Sequence, residues 1–86
     1  MNISKLEQRV LHVLAQGGVI QHERDQGAKV TAVTCFTHNG QVLSDLTLPR
    51  FTKLRRKGRI HSAGGRPYRI SRRGRLSVRA QLNNRT

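Results

Sequence analysis

Apolar positions change period repeatedly along the chain. Leu6, Val10, Val13 and Leu14 recur at helical spacing, and Leu11 widens their stripe, so an amphipathic helix packs here. Ser4-x-x-Glu7 opens it as a capping box, in which the Ser4 hydroxyl and the Glu7 carboxylate satisfy each other's backbone amides. It should run to about Gln16 and stop at Gly17-Gly18. From Val19 the pattern becomes that of strands. Val19 to Arg24 and Val30 to Phe36 are rich in β-branched residues, and Asp25-Gln26-Gly27 turns the chain between them. Asn39-Gly40 marks a second turn, after which Gln41 to Ser44 returns as a third short strand of a meander.

Helical spacing resumes with Leu48, Phe51 and Leu54. Thr47 caps this helix, and Pro49 is tolerated in its first turn because its missing amide would have had no intrahelical acceptor. Gly58 ends it. Ile60 to Ser62 and Pro67 to Ile70 form short strands around Ala63-Gly64-Gly65-Arg66, and Ser71 caps a last helix. The predicted class is therefore α+β: one small domain over 1–86, with an N-terminal helix, a meander, and a helix-hairpin-helix half. That second half resembles part of a winged-helix domain, where a basic helix and a hairpin wing touch neighbouring stretches of nucleic-acid backbone. The meander occupies the place of the middle helix that braces a recognition helix, which argues against ordinary operator reading.

Charge divides the chain where the pattern does. Through Leu46, Lys5, Arg9, Arg24 and Lys29 balance Glu7, Glu23, Asp25 and Asp45. The other thirteen of the 17 Lys and Arg follow Thr47 with no acid among them, so the whole net charge of +13 sits in residues 47–86. Such a field attracts polyanions, with binding that weakens steeply in salt. Cys35 is the single cysteine, so no internal disulfide can form, and a reducing compartment fits. No apolar run approaches the roughly 18 residues of a membrane span, and no signal peptide is evident. A cytoplasmic protein that does not enter membranes is expected.

Catalytic chemistry finds little purchase. His12, His22, His38, His61 and Cys35 show no metal-ligand spacing, and four acids in the neutral half do not make a nuclease site. Cys35 would need His22 opposite it to act as a nucleophile; amid Val33 and Phe36 a core thiol is the simpler reading. Tyr68 in Pro-Tyr-Arg-Ile reads as a packing residue against the last helix. With Phe36, Phe51 and Tyr68 the only rings beyond the histidines, stacking on single strands is poorly served. No enzymatic activity, cofactor or metal is expected.

Several blocks together carry a family resemblance: Ser4-x-x-Glu7-Gln8-Arg9-x-Leu11-His12-Val13-Leu14-Ala15-x-Gly17-Gly18-x-Ile20, Val30-Thr31-Ala32-Val33-x-Cys35, Gly65-x-Pro67-Tyr68-Arg69-Ile70 and Val78-Arg79-Ala80-Gln81-Leu82. In this order, over nearly the whole chain, they resemble the YjhX family of small bacterial proteins. The resemblance implies a toxin that inhibits DNA topoisomerase I and is neutralised by a cognate antitoxin. A chain this basic is poorly built to mimic DNA, so contact with the enzyme helped by DNA phosphates is the mechanism expected. On that view Arg50, Lys53, Arg55, Arg56, Lys57 and Arg59 approach phosphates, Arg66 and Arg69 do so from the hairpin, and Arg72, Arg73 and Arg75 extend the patch. The near-neutral meander is left for the enzyme or the antitoxin. A winged-helix-like DNA-binding regulator and a structural nucleic-acid protein are the alternatives.

Overall fold

A computed structural model describes residues 4–83. The elements run α1 (Lys5–Ala15), β1 (Val19–Arg24), β2 (Val30–Phe36), β3 (Val42–Leu43), α2 (Leu48–Arg56), β4 (Ile60–His61), β5 (Arg69–Ile70) and α3 (Arg72–Asn83). The α+β class and the order of elements are those expected from the changes of period. β1, β2 and β3 form an antiparallel meander; β4 and β5 form a separate hairpin. Gly64 and Gly65 in its connection both take positive φ, 62° and 79°.

Local chemistry explains where elements begin. The Ser4 hydroxyl accepts from the Glu7 amide at 3.1 Å, and the Thr47 hydroxyl accepts from the Arg50 amide at 3.4 Å. Ser71 does the same for the Gly74 amide at the start of α3. Only half of the expected capping box forms. The Glu7 side chain does not turn back to Ser4; it is buried at 3% exposure, with Oε2 3.9 Å from Lys57 Nζ. Glu7 occupies the same helical row as Val10, Leu11 and Leu14, so the packing of that row on the core draws its carboxylate inward.

The register of the meander sorts its faces. Ile20 lies opposite Cys35 and Cys35 opposite Leu43, placing these three on the core side. Val19, Phe36 and Val42 make the matching row on the other side, where Val42 is 62% exposed. The core joins Val10, Leu11 and Leu14 of α1 to Ile20, Cys35, Phe51, Leu54, Ile60, Tyr68, Ile70 and Val78. One non-local bridge completes it: Ile20 and Tyr68 exchange both backbone hydrogen bonds, at 2.9 and 2.8 Å, and so link the meander to the hairpin. Tyr68 is the packing residue anticipated, but its ring meets Phe51 edge-on at 4.9 Å and His22 at 5.1 Å, from α2 and β1. Among the described residues no helix is long and apolar enough to cross a membrane.

Candidate nucleic-acid interface

The basic half is assembled where the end of α2 meets the start of α3. The Ser71 hydroxyl donates to the Gly58 carbonyl, the Ser71 amide donates to the Arg59 carbonyl at 3.0 Å, and Arg73 Nη1 donates to the Lys57 carbonyl at 3.4 Å. These bonds tie the end of α2 to the first turn of α3 and make a corner between them.

Its cations fall into two groups. Lys53, Arg55 and Arg56 on α2, Arg66 and Arg69 on the hairpin, and Arg72, Arg73 and Arg75 on α3 are exposed. The Arg55 guanidinium rests 5.4 Å from the centre of the Phe51 ring, which holds its stem on the surface without hiding its charge. Lys53 rims an open cleft of about 310 Å³ shared with Ser4, Leu6, Glu7, Pro49 and Arg50.

Three others are both engaged within the protein and withdrawn from solvent. Arg50 is half-buried and donates to the Asp45 carbonyl at 2.9 Å. Lys57 is half-buried beside the Glu7 carboxylate. Arg59 is 8% exposed, with Nε donating to Ser77 Oγ at 3.1 Å and Nη1 enclosed without a partner. Arg59 is thus a strut between β4 and α3, set apart from the solvent-facing arginines. An enclosed guanidinium is costly unless its geometry is needed, and here it spans the corner that carries the patch. A second pair escapes a reading by spacing: Arg9 meets Asp45 at 2.8 Å across a gap of 36 residues.

The neutral half contains no assembled reactive centre among the described residues. His22 lies opposite Val33, two residues along from the Ile20–Cys35 pair on the same face of the sheet, so it is not the cross-strand partner of the thiol. Burial pushes the Cys35 thiol up to about 11, which keeps it protonated and unreactive at neutral pH. Burial, aided by the Arg24 charge, lowers His22 below the ordinary imidazole value. No three His, Cys, Asp or Glu side chains converge as a metal site among the described residues.

Comparison with known proteins adds a lineage to this geometry. A family model described as "Putative toxin of bacterial toxin-antitoxin pair", the YjhX toxin family, matches residues 1–85. A UPF0386 protein of Cereibacter sphaeroides is 64% identical over 84 residues, covering 98% of this chain and 97% of its own. UPF0386 proteins of Beijerinckia indica and Aliivibrio fischeri are 60% and 53% identical over 85 residues, each covering 99% of this chain and 100% of its own. No solved structure matches.

Proposed function

The chain belongs to the YjhX toxin family, and from that membership we propose that it is a non-catalytic toxin that inhibits bacterial DNA topoisomerase I in the cytoplasm. It acts by contact with the enzyme, strengthened by DNA phosphates, until a cognate antitoxin removes it. The observation that carries this reading is the segregation of charge: among the described residues eight exposed Lys and Arg side chains crowd one acid-free half, and the meander is near neutral.

Topoisomerase I holds a DNA strand in a basic groove, so an inhibitor that replaced DNA would have to be acidic. This chain carries the opposite sign. It is suited to join enzyme and DNA and to hold the complex closed, with arginine forks on phosphates and the meander on protein. Lys53, Arg55, Arg56, Arg66, Arg69, Arg72, Arg73 and Arg75 supply the phosphate contacts; Arg59 braces the corner that presents them, while Arg50 and Lys57 tie α2 to Asp45 and Glu7.

The test is relaxation of negatively supercoiled plasmid by topoisomerase I with increasing amounts of the protein, across a range of salt. Inhibition at levels too low to coat the plasmid is expected, and Lys53→Gln/Arg55→Gln/Arg56→Gln should weaken it. Inhibition only at coating levels would overturn the topoisomerase assignment and leave a DNA-binding protein with another target.

A further inference from the structure

The outward crest of α3 combines charge with one apolar side chain. Gly74 and Val78 are buried and Ser77 is half-buried, which fixes the side of the helix that faces the protein. At about 100° per residue, Arg72 and Leu76 stand two positions either side of Gly74, roughly 200° around, and straddle the opposite direction. Leu76 is 56% exposed there, with Arg72, Arg73 and Arg75 exposed around it. A lone exposed leucine is ordinary on a protein surface. A leucine at the crest of a cationic helix, in a half without a single acid, is placed against something that offers both anions and an apolar spot.

Resting on the reading that the basic half meets duplex DNA, we propose that α3 lies in the major groove, with its arginines on phosphates and Leu76 against thymine methyl groups. Three features select this ligand. The acid-free surface is complementary to a polyanion. An α-helix fits the major groove, where thymine presents the one apolar group on the base edges. A membrane surface would call for a broad apolar face, whereas among the described side chains of α3 Leu76 is the exposed apolar one and exposed arginines surround it. The basic half then has a preference for A·T-rich duplex in addition to its sequence-blind phosphate grip.

The experiment is binding of the full chain to a short A·T-rich duplex and to the same duplex with uracil replacing thymine, at several salt concentrations. Wild type should lose roughly fourfold in affinity on removal of the methyl groups, the worth of about one buried methyl-sized group. Leu76→Ala should be indifferent to them, Leu76→Met should keep the response, and all three should share one salt slope. Because Leu76 is exposed, the variants should melt as wild type does. Equal binding of wild type to both duplexes, or an equal loss in Leu76→Ala, would overturn the contact while leaving phosphate binding intact. No binding to either duplex at low salt would overturn it together with the reading of the basic half. Loss of binding to phosphatidylserine vesicles in Leu76→Ala, with DNA affinity unchanged, would assign the crest to a lipid surface instead.

Discussion

Cys35 is fully enclosed between Ile20 and Leu43, and the low polarity around it penalises the thiolate. A thiol raised from 9.0 to about 11 is more fully protonated in the folded state than in the unfolded chain. Unfolding is therefore favoured progressively as pH rises above 9, by up to about 3 kcal/mol at pH 11 and beyond. Denaturant titrations at pH 7 and pH 11 should show this loss, and Cys35→Ala, though less stable at neutral pH, should lack that part of the pH dependence. Phe51 is fully buried in the same core, packed on Tyr68 and covered by Arg55. Phe51→Ala should cost about 3–5 kcal/mol of unfolding free energy in the same titration. The fate of individual side chains was the least legible part of the chain. Leu48, Phe51 and Leu54 announce a buried stripe by spacing, whereas nothing around Arg59 distinguishes it from Arg55 or Arg56. Its burial depends on where α3 docks, a matter decided 18 residues downstream at Ser77. Glu7 did carry a signal, its place in the row of Val10, Leu11 and Leu14, but the capping box competed for the same side chain.

Among the elements, α3 depends on one close approach. Gly74 sits so near the Arg59 carbonyl that an added Cβ would stand 2.2 Å from its oxygen. Glycine within a helix ordinarily costs up to about 1 kcal/mol relative to alanine. Here Gly74→Ala should be destabilising, by about 1–3 kcal/mol, because α3 must back away from Arg59. Thermal melting followed by circular dichroism would measure it, and an unchanged or raised midpoint would show that α3 can shift freely. Element limits were legible in the sequence because caps and turns are local: Ser4, Thr47 and Ser71 all cap, and β1 and β2 run over the residues that their β-branched composition marks. The hairpin of β4 and β5 is shorter than its sequence pattern, with two residues in each strand. Tyr68 has left that ladder to pair with Ile20, and no rule of spacing within the hairpin could reveal a partner 48 residues earlier.

The molecule as a whole is electrically lopsided, and its association with DNA should report that directly. Neutralising one cation that sits on a phosphate lowers the slope of log affinity against log salt by about 1. Lys53→Gln/Arg55→Gln/Arg56→Gln should therefore flatten the slope by up to roughly 3, with folding little affected because these charges are exposed. A slope that does not change would place the DNA on α3 and the hairpin alone. Lys57 and Arg59 are unsuitable for this test, since one neighbours the buried Glu7 and the other spans β4 and α3. The Ile20–Tyr68 bridge has a consequence in time. Two amides from the neutral and basic halves are locked on each other's carbonyls inside the core, so neither can meet solvent deuterons unless both halves part. Hydrogen exchange at Ile20 and Tyr68 should be among the slowest in the chain and should accelerate in step as denaturant is added, marking the two halves as a single cooperative unit.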